Sequence, residues 1–340
     1  MRHSTFLWFV FPSAFLMLLF IAMPIVSVIT QSLYVQHEQV LVQVENCSLF
    51  GCETTTAVDQ EATQAIREAE PLGRWAGLGV YTNRAHLAFS EMGEVWRTSE
   101  SWGEWVGAVY NLPFYRALSF TLAFTFIVTP LTIILGFFIA VAVNGTVKAI
   151  RGPTIFLSLL PFVITPLVGA LVLFWMVDAR GILGAAIQWL ADDPDLSVKA
   201  STPLMWTMLM VYGIWHSAPF AFVVFYAGLQ TVNKDTLESA MIDGANRWER
   251  IRYVIFPHLV PLVTFVALIQ LMDNFRVFEP IVSFSAQAHA TSLSIAIFSD
   301  LGGETRLLSS AAATSVLTII GVAILLSPVM VRTYRDFGKD

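Results

Sequence analysis

The sequence predicts an all-α integral membrane protein of about six transmembrane helices, with an extracytoplasmic insertion after the first and a cytoplasmic loop between the fourth and fifth. Three observations predict it. The 340 residues are 56% hydrophobic and only 13% charged, about half the charged fraction of a soluble domain. Uncharged runs recur that reach the roughly 20 residues needed to cross a bilayer. Basic residues crowd into alternate short connections, as the positive-inside rule expects.

The first run, Phe6 to Thr30, contains no Asp, Glu, Lys or Arg. A cleaved signal peptide is the competing reading. The run is longer than a usual signal h-region, and Pro12 and Pro24 stand where a small-residue cleavage site would be, so residues 1–30 are expected to be a retained helix. Further runs extend from Ala117 to Val147, Gly152 to Val177, Ala200 to Asn233, Tyr253 to Met272 and Leu307 to Val331. Pro130, Pro161, Pro166 and Pro219 lie inside them, which lipid-buried helices tolerate when neighbours satisfy the freed carbonyls.

Lys148 and Arg151 follow the second run, Lys234, Arg247, Arg250 and Arg252 the fourth, and Arg332, Arg335 and Lys339 the sixth; the opposite short connections hold Arg180, Lys199 and Arg306. This asymmetry places both termini in the cytoplasm. Residues 31–115 then lie outside. Their acids (Glu45, Glu53, Asp59, Glu61, Glu68, Glu70) mixed with Trp75, Trp96, Trp102 and Trp105 suggest a partly folded insertion. Gly181 through Leu190 reads as a short amphipathic helix on the outer interface.

Cys47 and Cys52 are the two cysteines, in the most polar stretch. Their spacing fits neither a paired zinc motif nor a Cys-x-x-Cys redox pair; a local disulfide in an oxidising compartment and two free thiols are both open. No metal site is expected. The formal net charge of −6 averages over a chain whose middle lies in lipid, and gives no support to a nucleic-acid partner.

The connection at 235–257 has its own local physics. Asp235 is expected to cap a first helix, with Glu238 reaching back in a capping box. Asp243-Gly244 supplies a turn whose glycine tolerates positive φ, and a second helix is expected to end near Pro257. Ser239, Ala240, Gly244 and Ala245 leave one side with little bulk, while Leu237, Met241, Ile242 and Trp248 offer apolar knobs. Such a surface suits a groove on another protein. An ordinary connecting loop is the plain alternative.

Glu238-Ser239-Ala240-x-x-Asp243-Gly244-Ala245, followed by Ile251, Val254 and Pro257, resembles the Glu-Ala-Ala-x-x-Asp-Gly-Ala loop of ABC importer permeases. Ser239 replaces the second Ala, and Phe256 stands where Leu is usual. The likeness runs from about Phe114 onward and includes Gly181-Ile182-Leu183, Gly228-Leu229-Gln230 and Phe275 through Pro280, the pattern of the carbohydrate-uptake branch of maltose-type permeases. That branch often carries Thr-x-Gly-Gly-Pro after the fifth span, where this chain has Phe284-Ser285-Ala286-Gln287.

The resemblance implies a permease core at 116–340 in a bacterial inner membrane, forming half of the translocation pathway for a sugar-like solute. It also implies partners: a second homologous permease subunit, an ATP-binding cassette ATPase dimer into which the coupling loop inserts, and an extracytoplasmic solute-binding protein. The chain has no Walker Gly-x-x-x-x-Gly-Lys-[Ser/Thr] motif. It is therefore expected not to be an enzyme and to carry no cofactor, with ATP and Mg bound by the partner ATPase.

In the fifth span Gln270, Asp273 and Asn274 share one helical face. A carboxylate at that depth costs at least about 2.5 kcal/mol against lipid, so it is expected to face the bundle interior. The fourth span adds Tyr212, Trp215 and His216 at similar depth, and these six residues are the candidate substrate pathway. The packing alternative pairs Asp273 with Arg276 or His216 and uses Gln270 and Asn274 to bond across helices. For Trp175 and Trp206 packing is the expected role.

Two other function classes compete. An ion-coupled secondary transporter would use Asp273 and His216 as a relay, but six spans with no internal repeat are unusual for one. A membrane enzyme would need a His/Glu metal cluster or a Ser/Lys pair, which the spans lack. An importer of a non-sugar polar solute is the remaining alternative.

Overall fold

The computed structural model describes residues 3–37, 40–48, 51–303 and 306–337. The chain opens with α1 (His3–Met17), a π-helical turn at Leu18–Ala22 and α2 (Met23–Gln31). Strands β1 (Tyr34–Val35), β2 (Leu41–Ser48) and β3 (Gly51–Val58) follow, then α3 (Gln60–Ala69), β4 (Arg74–Trp75), α4 (Gly79–Thr82), α5 (Phe89–Thr98) and α6 (Trp102–Tyr110). The remainder is helical: α7 (Pro113–Asn144), α8 (Lys148–Val163), α9 (Pro166–Met176), α10 (Ile182–Ala191), α11 (Thr202–Gln230), α12 (Lys234–Ile242), α13 (Arg247–Arg250), a π-helical turn at Ile251–Ile255, α14 (Phe256–Phe275), α15 (Glu279–Ser283), α16 (Leu293–Gly302) and α17 (Leu308–Phe337).

Among the described residues five helices are long and apolar enough to cross a membrane: Trp8–Gln31, Pro113–Asn144, Thr202–Gln230, Arg247–Phe275 and Leu308–Arg332. A bent pair, Lys148–Val163 with Pro166–Met176, makes a sixth if counted as one span. The all-α, multi-pass membrane fold expected from the uncharged runs is borne out.

The third run differs from a straight helix. Its two halves are bent by 93°, because Ile164 and Thr165 turn extended, with ψ of 128° and 144°. Proline at 166 drives the residue before it out of the α region. The fifth run also differs at its start. The helix that begins at Arg247 does not end near Pro257 but continues through it. The π-helical turn at Ile251–Ile255 shifts the hydrogen-bond register just before the proline, which then sits at the second position of α14. Leu18–Ala22 and Pro24 repeat the device in the first span.

The chain divides into two compact units. The first, residues 1–115 with 296–319, holds the whole of 31–115. It contains two antiparallel pairs, β1 with β4 and β2 with β3. His86, fully buried, is fixed there with Nδ1 2.9 Å from Asn83 Oδ1 and Nε2 3.1 Å from both Ser310 O and Thr314 Oγ1. The β2–β3 register sets Cys47 directly opposite Cys52; their side chains lie outside the described residues.

The second unit, residues 116–295 with 320–340, holds two apolar cores. Phe120, Phe124, Leu209, Tyr212, Ile281 and Phe284 centre one; Ala140, Ala221, Phe222, Phe225, Leu259 and Val266 centre the other. Trp206 packs edge-on against Phe120 at 4.9 Å and donates its indole N–H to His289 O at 2.9 Å. That is the packing role expected of it.

Candidate functional site

A cavity of about 360 Å³ opens within the second unit, between the middle of α11 and the C-terminal turns of α14. Tyr212, His216, Gln270, Asp273 and Asn274 all line it, together with Phe124, Phe162, Phe220, Arg276 and Glu279. Five of the six side chains expected on the pathway therefore meet at one space. Trp215 does not line the cavity. It is 40% exposed, with its ring 6.1 Å from that of Tyr212.

Each wall has an identifiable cause. Helical spacing on α14 puts Gln270 and Asn274 on the buried face, at 4% and 6% exposure. Asn274 Nδ2 donates to Thr129 Oγ1 at 3.0 Å and lies 3.5 Å from Gln270 Oε1. Asp273, by contrast, keeps 55% of its side chain exposed and pairs with Arg276 at 3.1 Å. On α11, Tyr212 is buried and donates to Pro166 O at 2.7 Å. His216 stacks on its ring, with centroids 5.7 Å apart and planes 11° from parallel.

The arrangement combines aromatic faces, amides and charged groups around an open volume, a chemistry suited to a polar, hydroxylated ligand. Thr129 and Glu279 escaped the sequence reading. Thr129 belongs to a buried threonine row on α7 with Thr121 and Thr125, a four-residue spacing visible in the sequence. Glu279 stands at the start of a five-residue helix after the span, and nothing in its sequence context points it toward α11.

The connection between α11 and α14 has an elbow at its centre. Asn233, two residues before the expected cap, accepts from Asp235 N at 2.9 Å, so the Asp235–Glu238 capping box does not form. The capping box sits instead on the second helix, where Asn246 and Glu249 satisfy each other's backbone N–H groups at 2.9 and 2.7 Å. Between the two, Gly244 takes φ 84°, as the Asp-Gly turn required. Ala245 N bonds to Ala240 O at 2.9 Å and Gly244 N to Met241 O at 3.1 Å, the paired bonds of a Schellman motif. Glu238, Ser239, Asp243 and Gly244 are exposed and Ala240 and Ala245 half-buried. Met241, Ile242 and Trp248 stand 50%, 86% and 67% exposed.

Among the described residues no three His, Cys, Asp or Glu side chains gather as a metal site.

Residues 189–335 match the family described as binding-protein-dependent transport system inner membrane component. A probable ABC transporter permease protein of Sinorhizobium fredii is 30% identical over 49% of this chain and 54% of its own length. The trehalose/maltose transport system permease protein of Thermococcus litoralis is 26% identical over 49% of this chain and 56% of its own. The chain thus spans about half the length of these curated relatives. In fold it is similar to a chain from the crystal structure of a bacterial ABC transporter involved in the import of the acidic polysaccharide alginate, with a TM-score of 0.60 at 20% identity, covering 81% of this chain and 96% of that one. The resemblance to ABC importer permeases read from the motif at 238–257 is borne out by these likenesses.

Proposed function

We propose that this chain is the pore-forming permease subunit of an ATP-driven importer, contributing half of the pathway for a sugar or sugar-like solute. The observation that carries the reading is the elbow at 235–257, which lies within the matched residues 189–335. Its Schellman turn ends the short helix α12 just before the long helix that starts at Arg247, and Met241, Ile242 and Trp248 project from the two with no described partner to cover them. Apolar side chains held on a rigid, capped support are what a groove on an ATPase subunit would take.

In this reading residues 1–30 are the first span, 31–115 the extracytoplasmic insertion and 116–340 the permease core, with both termini cytoplasmic. A second homologous permease completes the pathway. The ATPase dimer binds ATP and Mg and performs the hydrolysis. An extracytoplasmic binding protein delivers solute to the cavity beside Tyr212, His216, Gln270, Asp273 and Asn274. The trehalose/maltose and alginate systems among the similar proteins favour a carbohydrate.

Ile242→Cys in a background with Cys47→Ser and Cys52→Ser tests the coupling assignment. The introduced thiol should cross-link to the ATPase subunit in the assembled complex and react only with reagents admitted to the cytoplasm. Labelling from outside intact cells would overturn both the coupling role and the orientation.

A further inference from the structure

The exposed apolar surface on α5 and α6 has no covering element among the described residues. Trp96, Trp102 and Trp105 meet edge to face, with centroids 5.1, 5.6 and 5.7 Å apart. Trp96 and Trp102 nonetheless stay 53% and 69% exposed. Along α6, Trp102, Val106 and Tyr110 follow at four-residue spacing and are all exposed, while Glu104 falls on the opposite side of the helix. Along α5, Phe89 and Trp96 share one face, with Glu91 and Glu94 on the other. Both helices are therefore amphipathic, with the apolar side outward. An apolar patch of this kind in water marks a contact surface.

Chain continuity identifies the occupant. α6 ends at Tyr110 and the span-forming α7 begins at Pro113, so the last turn of α6 lies within about 10 Å of chain from the start of a membrane helix. Tryptophan and tyrosine are the residues that settle at the headgroup level, where the ring is buried and the N–H or O–H stays wet. The recess of about 200 Å³ lined by the three indoles also carries Ser99, Glu100 and Ser101, which gives the aromatic surface a polar rim suited to that boundary.

We infer that α5 and α6 lie in the membrane–water interface and anchor the insertion to the outer leaflet. The attraction is aromatic and apolar, not electrostatic. Residues 89–110 carry Glu91, Glu94, Glu100 and Glu104 against Arg97 alone, so acidic lipids repel the segment.

The test uses nitroxide labels at Trp102→Cys, Val106→Cys and Glu94→Cys, each in the full chain with Cys47→Ser and Cys52→Ser, reconstituted in phosphatidylcholine bilayers without other proteins. At 102 and 106, collisions with oxygen should exceed those with a water-soluble nickel chelate, and at 94 the order should reverse. Val106→Cys replaces an exposed side chain of similar size, so it reports even if Trp102→Cys disturbs the indole cluster. Adding phosphatidylglycerol should not deepen either label. Labels at 102 and 106 that are open to the chelate would overturn the inference. So would protection that appears only on adding the solute-binding protein, which would make the patch a protein-docking surface.

Discussion

Asn274 Nδ2 donates to Thr129 Oγ1 across 3.0 Å, and this buried bond ties α14 to α7. Asp273, the neighbouring residue, makes an exposed ion pair with Arg276 one helical turn along. Adjacent polar residues on one span thus do different work: the amide knits helices, and the carboxylate faces the cavity.

Asn274→Ala and Thr129→Val should each lower thermal stability in detergent. A double-mutant cycle should show a coupling of about 0.6 kcal/mol and no more than about 1.7, the average and the maximum for hydrogen bonds between membrane helices. Asp273→Asn should leave stability nearly unchanged, since exposed ion pairs contribute little, while lowering uptake. Equal loss of stability in Asp273→Asn would place that residue in packing as well.

Gly244 has φ 84° and open space where a Cβ would stand. Backbone strain alone should therefore decide substitutions there. Gly244→Asn, which tolerates the left-handed region, should keep coupled transport. Gly244→Val, at a cost of about 1–2 kcal/mol or more for the left-handed backbone, should abolish uptake and stimulated ATP hydrolysis while the protein still inserts. Loss of both in Gly244→Asn would show that bulk, not conformation, matters at the elbow.

The corner between α9 and α10 is closed by a different glycine. A Cβ on Gly184 would stand 1.9 Å from Asp178 O and 2.8 Å from Val177 O, both main-chain atoms. The same corner is held by Lys199, which donates to Asp178 at 2.7 Å and by that hydrogen bond keeps its carboxyl below the usual range. Gly184→Ala should destabilise by about 1–3 kcal/mol through overpacking, read as a lowered melting temperature in detergent.

Much of this was legible in the sequence, and the exceptions have physical causes. Uncharged runs mark where a helix can cross lipid, and the spans begin and end within a few residues of them. A run cannot show a bend, because Ile164 and Thr165 are as apolar or neutral as a straight helix would have them; Pro166 was the visible signal. The passage through Pro257 depended on a π-helical turn that no propensity encodes. The caps moved to Asn233 and Asn246 because several polar residues compete for each helix start, and backbone geometry chooses among them. Helical spacing placed Gln270, Asp273 and Asn274 on the cavity side, whereas Thr129 and Glu279 come from elements distant in sequence, and periodicity within one helix is silent about them.

The β2–β3 register places Cys47 opposite Cys52, and directly opposed strand residues have Cα separations within the range a disulfide spans, about 4.5 to 5.5 Å. Protein isolated without reductant should resist maleimide until it is reduced. Full labelling before reduction would leave two free thiols.

The most direct test is uptake by the assembled complex in proteoliposomes. With the ATPase subunit, the second permease and a sugar-loaded binding protein present, uptake should require ATP, rise with binding protein, and fail in Gly244→Val. Uptake that proceeds without the ATPase and follows an imposed proton or sodium gradient would contradict the importer reading and make Asp273 and His216 an ion relay.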